Sequence, residues 1–162
     1  MLLATDVHYF DQGGARAAGV VLDGWSAEAS HHELTAHVDH VQPYVTGQFY
    51  RRELPCLLRL LGCVELSIDC VVVDGHVWLG TKAGLGAHLH EATGLPVVGV
   101  AKNPHAAGGA RPVRRGGSTV PLYVSSVGLP VEDACRSVTQ MHGPHRLPTA
   151  LKRADRIARD GL

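Results

Sequence analysis

Residues 68–74 read IDCVVVD, and this stretch decides the fold. A continuous β-branched run predicts a central strand that is buried on both faces of a sheet. A helix is predicted over residues 82–94, which end on a glycine, and a short apolar strand over residues 95–102. A strand, a helix and a second strand with short connections form a parallel βαβ unit.

The residues before this unit predict an antiparallel start to the same sheet. Two strands are predicted over residues 1–10 and 16–25, joined by the turn at residues 11–14, where two glycines favour a hairpin. A third strand is predicted around residues 33–41. Leucines at helical spacing predict a helix over residues 48–62, with Pro55 near its first turn.

The residues after the unit predict a long loop and closing helices. The segment 103–119 is rich in Gly, Pro and Arg and is predicted to be an irregular binding loop. A strand is predicted over residues 120–125 and helices over residues 130–141 and 148–160. The whole pattern predicts one α/β domain over residues 1–162, with a mixed sheet of three antiparallel strands and further parallel strands, flanked by helices.

The composition excludes several classes of protein. Hydrophobic residues make up 45% and charged residues 19% of the 162 residues, which is a folded composition. Fifteen basic and fifteen acidic residues cancel, so any binding of nucleic acid depends on local patches and metal ions. The four cysteines form no CxxC pair, and neither a signal peptide nor an apolar run of roughly 20 residues is visible. These features predict a cytoplasmic protein with no membrane association.

Three acidic residues stand out by their positions on the predicted elements. Asp6 lies inside the first strand, Asp74 ends the central strand, and Glu53 lies near the start of a helix. Taken singly, each has an ordinary explanation as a turn former, a cap or a solvated helix residue. Together they suggest a cation site, because clustered carboxylates repel one another unless a metal neutralises them, and Mg²⁺ prefers oxygen ligands.

Four separated segments carry motifs in a fixed order. They contain DVHY (6–9); PYVTG (43–47) with FYRRELP (49–55); VVVDGH (71–76) with GLPVVGVAK (94–102); and HRLP (145–148) with RAD (153–155). In order and spacing these segments resemble the endonuclease V family over most of residues 4–158. The resemblance implies an RNase H-like fold and a metal-dependent endonuclease that cleaves DNA or RNA near deaminated purines such as inosine, leaving a 3′-hydroxyl and a 5′-phosphate.

The resemblance also implies roles for individual residues. Asp6, Glu53 and Asp74 match the metal-binding carboxylates, with Mg²⁺ as the cofactor and Mn²⁺ as its substitute. Asp155 matches a fourth acidic catalytic position, and Lys102 matches a lysine near the scissile phosphate. The expected partner is single-stranded or lesion-containing DNA or RNA. The candidate contact residues come partly from the resemblance and partly from their positions in the chain. They are Tyr44 in the wedge segment, Gly47 and Gly75 where a flipped base approaches, His76 beside Asp74, and the loop arginines Arg111, Arg114 and Arg115.

Several departures mark the chain as a short and divergent member of this family. Thr46 replaces a proline of the wedge segment, and residues 76–82 lack the family's downstream histidine but contain Trp78. That region lines the family's hypoxanthine pocket. The chain starts almost at its first strand, and after Lys102 it is expected to lack a strand pair, replaced by the segment 103–119.

Two other functions remain open from the sequence. One is a nucleic-acid-binding relative with altered catalysis, suggested by the changed pocket. The other is a histidine-rich metal-binding protein on an unrelated α/β fold. Its candidate ligands are His31, His32, His37 and His40. In a strand, however, His31 and His37 would share one face and His32 and His40 the other.

Overall fold

A seven-stranded mixed sheet forms the centre of the computed structural model, which describes residues 1–162. Its strand order is β3-β2-β1-β4-β7-β9-β8. The strands of this sheet are β1 (Leu2–Tyr9), β2 (Ala15–Leu22), β3 (His32–Val38), β4 (Cys70–Asp74), β7 (Val97–Ala101), β8 (Arg111–Val113) and β9 (Leu122–Val127), and a separate hairpin contains β5 (Trp78–Leu79) and β6 (Lys82–Ala83).

The strand directions confirm the predicted mixed sheet. Strands β1, β2 and β3 pair antiparallel, whereas β4 runs parallel to β1 on one side and to β7 on the other. The helix between β4 and β7 makes this the predicted βαβ unit. Strand β4 lies in the middle of the sheet, and Val71, Val72 and Val73 are at most 1% exposed.

Four helices cover the two faces of the sheet. Helices α1 (Phe49–Leu61) and α2 (Leu85–Thr93) lie on one face, where they pack on Leu3 and Val71. Helices α3 (Val131–Gln140) and α4 (Thr149–Asp160) cover the other face, above Ala4 and Val72. Side chains alternate between faces along a strand. Asp6 and Asp74 therefore belong to the α4 face.

Two expectations from the sequence are wrong. The helix predicted over residues 82–94 begins only at Leu85, because residues 78–83 form the β5–β6 hairpin. The segment 103–119 is not wholly irregular, since it contains β8, and β8 pairs antiparallel with β9. The segment expected to replace a strand pair therefore contains one further strand, which pairs with the strand already predicted after it, and residues 102–110 and 114–121 form irregular loops.

No helix in the structure combines the length and the apolar character needed to cross a membrane.

Candidate active site

Two carboxylates lie side by side on neighbouring strands, Asp6 inside β1 and Asp74 at the end of β4. Strands β1 and β4 run parallel, with Thr5 opposite Val73, so Asp6 and Asp74 occupy the next position on each strand. Asp155 on helix α4 is near enough to raise the pKa of the Asp6 carboxyl, and its own Oδ2 accepts from Arg159 at 2.6 Å. The parallel β1–β4 pairing and the packing of α4 thus bring together three acidic residues that are far apart in sequence.

The environment of Asp6 strongly disfavours its ionised form. Burial, and then repulsion from Asp74, raise the pKa of the Asp6 carboxyl to about 7, with a further contribution from Asp155. The Val7 backbone N–H donates to Asp6 Oδ1 at 2.9 Å and opposes this shift only in part.

Glu53 joins the cluster from helix α1. Its side chain is only 4% exposed, and the Tyr9 hydroxyl donates to its Oε2 at 3.4 Å. The Arg52 guanidinium lies 3.8 Å from the centre of the Tyr9 ring, which places a positive charge nearby. Burial, followed by repulsion from Asp6 and Asp74, nevertheless raises the pKa of Glu53 to about 8.

Lys102 provides the direct positive partner of this cluster. Its Nζ lies 2.6 Å from Asp74 Oδ2, at the end of strand β7. Burial opposes the charge on Lys102, but the hydrogen bond and attraction to Asp74 leave its pKa above the usual value. Asp155 is paired in the same way with Arg159, at 2.6 Å, whereas neither Asp6 nor Glu53 forms an ion pair.

A divalent cation fits this donor set chemically. Oxygen ligands that are held close together and resist ionisation in the absence of a counterion are typical of Mg²⁺ and Mn²⁺ sites. In the present side-chain arrangement no group of three His, Cys, Asp or Glu residues converges to chelate an ion. Asp74 is occupied by Lys102, and Glu53 Oε2 faces the Tyr9 hydroxyl. A cation that binds Asp74 Oδ2 therefore competes with Lys102 for this oxygen.

Sequence reasoning missed the role of Arg146 in this region. Its guanidinium donates to the backbone carbonyls of Lys102 and Pro121, the latter at 3.2 Å through Nε. Arg146 thereby ties the chain before α4 to the end of β7 and fixes the backbone of Lys102. The HRLP motif at 145–148 was the available signal.

An open cavity lies along the two residues that directly follow Asp74. Its volume is about 340 Å³, and Tyr44, Gly47, Gly75 and His76 are among its lining residues. These are four of the seven predicted nucleic-acid contacts. Gly47 and Gly75 have positive φ angles of 77° and 151°, and no atom lies within 4 Å of a Cβ built on either. Both glycines therefore leave backbone open to a ligand.

The chain from the predicted wedge residue Tyr44 to the start of α1 exposes three large apolar side chains. The side chains of Tyr44, Val45 and Phe49 are 60%, 49% and 41% exposed, respectively. Tyr44 and Phe49 both line the cavity. Exposed aromatic side chains at a cavity mouth suit stacking on nucleobases.

Tight glycine packing holds residues 75–77 behind the cavity. A Cβ on Gly99 would lie 2.5 Å from the Gly75 carbonyl oxygen, and one on Gly84 would lie 2.8 Å from that of His76. The Val77 backbone N–H donates to Ser125 Oγ at 3.0 Å. The chain after Asp74 is thus fixed by close contacts with β7, β9 and the start of α2.

The three loop arginines have different environments. Arg115 is only 7% exposed, and it donates to the carbonyls of Met141, Gly143, His145 and Arg146. The prediction that Arg115 contacts phosphates is therefore wrong: its donors are used to hold the α3–α4 connection. Arg111 lies at the surface, 3.4 Å from Glu132, and Arg114 is exposed.

Trp78 and the histidine cluster belong to the scaffold. Trp78 packs against the cluster around Val77, and its indole N–H donates to the Ser126 carbonyl at 3.0 Å. His31 lies 3.1 Å from Asp23, and His37 stacks on Phe10. The cluster of His31, His32, His37 and His40 does not converge on a metal site.

The sheet order and the neighbouring carboxylates on β1 and β4 define an RNase H-like fold of the kind found in nucleases. The sequence model of endonuclease V matches residues 1–131. Endonuclease V of Streptomyces avermitilis is 33% identical over 97% of this chain and 78% of its own length. The enzyme of Xanthomonas axonopodis pv. citri is 30% identical over 98% of this chain and 76% of its own length. The chain belongs to the endonuclease V family, whose members are nucleases that hydrolyse phosphodiester bonds.

Solved structures agree with this assignment. The S. avermitilis enzyme superposes with a TM-score of 0.86 at 30% identity, covering 98% of this chain and 79% of that one. Human endonuclease V superposes with a TM-score of 0.80 at 26% identity, covering 98% of this chain and 82% of the human one. Ciona intestinalis endonuclease V, in complex with a 24-mer DNA containing an inosine followed by a ribo-adenosine, gives 0.81 at 19% identity, covering 98% and 83%. At that identity the Ciona match supports the fold alone.

Proposed function

We propose that this chain is a single-domain endonuclease that uses Mg²⁺, or Mn²⁺ in its place, to cleave DNA or RNA near deaminated purines. The ligands are Asp6, Glu53 and Asp74, with Asp155 as a fourth carboxylate beside Asp6. One observation carries the proposal: Asp6, Glu53 and Asp74 are held together in a largely buried site, where burial and then their mutual repulsion raise the pKa values of Asp6 and Glu53 to about 7 and about 8. Such a cluster is stable in its ionised form only beside a cation.

The bound cation would neutralise the carboxylates and polarise the attacked phosphate. The protein's own groups account for the rest of the site. The Tyr9 hydroxyl orients Glu53, and Arg146 fixes the backbone of Lys102. With a cation bound to Asp74, Lys102 would be available to contact the scissile phosphate and to stabilise its developing charge.

The substrate assignment rests on the cavity along the residues that follow Asp74. Its volume of about 340 Å³ accommodates a purine, and the open backbone of Gly75 lies directly after Asp74. A base flipped into this cavity would place its own backbone next to the carboxylates. Membership of the endonuclease V family supports the same substrate class, since a Ciona member was solved in complex with inosine-containing DNA.

The remaining features of the proposal concern partners and location. Exposed Tyr44 and Phe49 favour unstacked bases, so single-stranded or lesion-containing nucleic acid is the proposed partner. Arg111 and Arg114 are proposed to contact phosphates from the β8 side. The four cysteines are all free, which supports a reducing compartment such as the cytoplasm.

End-labelled single-stranded DNA and RNA oligonucleotides test this function directly. Each strand carries one inosine or none and is incubated with Mg²⁺, with Mn²⁺ or with EDTA. Cleavage near inosine that requires the cation supports the proposal. Whether the DNA or the RNA strand is cleaved faster identifies the preferred substrate class. Equal cleavage with and without inosine would remove the lesion specificity. Binding to the strands without any cleavage would instead identify a relative with altered catalysis.

A further inference from the structure

The loop after Lys102 carries a histidine into the cavity along the residues that follow Asp74. Among residues 102–109 only His105 is half-buried, while its neighbours are exposed. His105 lines the cavity together with Gly75 and His76, and its ring lies 6.0 Å from the His76 ring in an edge-to-face arrangement.

This loop is fixed to the β5–β6 hairpin. The Gly80 backbone N–H donates to the Gly108 carbonyl at 3.1 Å, and Gly108 N–H donates back to the His105 carbonyl at 2.9 Å. A Cβ on Gly109 would lie 3.1 Å from the Trp78 carbonyl oxygen. The backbone of His105 therefore has a defined position relative to the cavity.

A local hydrogen bond also sets the proton position on the His105 ring. The Ala107 backbone N–H donates to Nδ1 at 3.2 Å, so Nδ1 is an acceptor and carries no proton. The neutral ring then carries its proton on Nε2. His105 thus offers one N–H donor on a side chain that faces the cavity.

We propose that His105 is a specificity-determining residue, whose Nε2–H donates to the exocyclic oxygen of a deaminated purine held in the cavity. This inference rests on the proposed function of the cavity. Deamination replaces the amino group at C6 of adenine, a donor, by a carbonyl oxygen, an acceptor. A donor on the cavity wall therefore pairs with the deaminated base and is left facing another donor when adenine enters.

A paired change in protein and substrate tests this contact. Single-turnover cleavage is measured on single-stranded DNA with 2′-deoxyinosine or with 2′-deoxynebularine, a purine that lacks the oxygen at C6. The wild-type chain should cleave the inosine strand about 10- to 100-fold faster, the usual effect of losing one buried hydrogen bond. In His105→Ala the inosine rate should fall to the nebularine rate, while the nebularine rate stays unchanged. His105→Gln, which keeps a donor, should retain part of the ratio, and His40→Ala, at an exposed site, should retain all of it.

An unchanged ratio in His105→Ala, or an equal fall on both strands, would overturn the proposal. Equilibrium binding of the same two strands, measured in EDTA, separates this result from failure of the proposed function. A wild-type binding ratio that His105→Ala abolishes supports the contact even if no strand is cleaved. Binding that does not distinguish the two bases in the wild-type chain contradicts the contact, whether or not cleavage occurs.

Discussion

Lys102 Nζ lies 2.6 Å from Asp74 Oδ2, so a candidate catalytic lysine is paired with one oxygen of a candidate metal ligand. The two residues end neighbouring parallel strands, β7 and β4, and the Lys102 backbone is further held by Arg146. The ion pair is partly exposed, with side-chain exposures of 47% and 24%. Its own strength is therefore modest, on the order of 1 kcal/mol or less.

Replacing Lys102 should separate cation binding from cleavage. In Lys102→Ala, Asp74 loses its competing partner and the cluster becomes more negative. Divalent cation should then bind more tightly, about two- to five-fold for a pair of this strength. Cleavage should nevertheless slow by about 10²-fold, because the positive charge near the phosphate is lost. Titration calorimetry with Mn²⁺ and single-turnover cleavage measure the two effects.

Lys152→Ala is the matched control, since Lys152 is exposed on α4 and has no ion-pair partner. Lys152→Ala should change neither the affinity for divalent cation nor the rate of cleavage. Weaker cation binding in Lys102→Ala would show that the lysine supports the site rather than competing for it.

The stability of the metal-free protein should fall as the pH rises. The pKa values of Asp6 and Glu53 are raised from 3.8 and 4.5 to about 7 and about 8. At pH values between the ordinary pKa values of the unfolded chain and the raised values of the folded chain, only the folded chain holds these protons. Raising the pH through this range therefore favours unfolding. In EDTA the Tm should therefore be lower at pH 8.5 than at pH 5.5. Divalent cation should restore several degrees at pH 8.5 and much less at pH 5.5.

Glu53→Gln tests the origin of this pH dependence, because it removes one of the two titrating groups. The fall in Tm with pH should become shallower in this variant. The exposed Glu65→Gln should leave the dependence intact. A Tm in EDTA that rises from pH 5.5 to pH 8.5 would contradict the account of the cluster.

Replacing the adjacent arginines Arg114 and Arg115 should affect different properties, nucleic-acid binding for Arg114 and stability for Arg115. Arg115→Met leaves four backbone carbonyls without their donor, at a cost of about 3 kcal/mol or more, which corresponds to a Tm lower by about 6 to 12 °C. Arg114→Met, at an exposed position, should leave the Tm nearly unchanged and weaken nucleic-acid binding in a salt-dependent way. Thermal unfolding and binding titrations at two salt concentrations distinguish them. Similar Tm values for the two variants would show that the buried contacts of Arg115 are not structural.

Much of the fold was predictable from the sequence because its strongest signals are local. The βαβ unit is recognisable from the order of three local patterns: the apolar run CVVVD, a helix that ends at a glycine, and the apolar run LPVVGVA. The β5–β6 hairpin was missed because each of its strands is only two residues long. Strand β8 was missed because it is only three residues long and contains Arg111 and Pro112, residue types that are tolerated on an edge strand but do not indicate one.

The candidate site was predictable only in part. The acidic residues were visible as carboxylates on apolar elements, and their meeting follows from the parallel pairing of β1 with β4. The position of Arg115 was not visible, because a Gly-Arg-rich segment looks the same whether its arginines face solvent or buried carbonyls. His105 gave no signal either, since its place in the cavity depends on how the loop docks on Gly80.

Metal-dependent cleavage by an Asp74 variant tests the central claim most directly. Wild-type protein and Asp74→Asn are compared under single-turnover conditions on inosine-containing DNA and RNA strands with Mg²⁺. Asp11→Asn, at an exposed turn, is the matched control. The account predicts cation-dependent cleavage at one bond near inosine, a loss of at least about 10²-fold in Asp74→Asn, and no loss in the control. Undiminished cleavage by Asp74→Asn, or no cation-dependent cleavage by the wild-type protein, would contradict it.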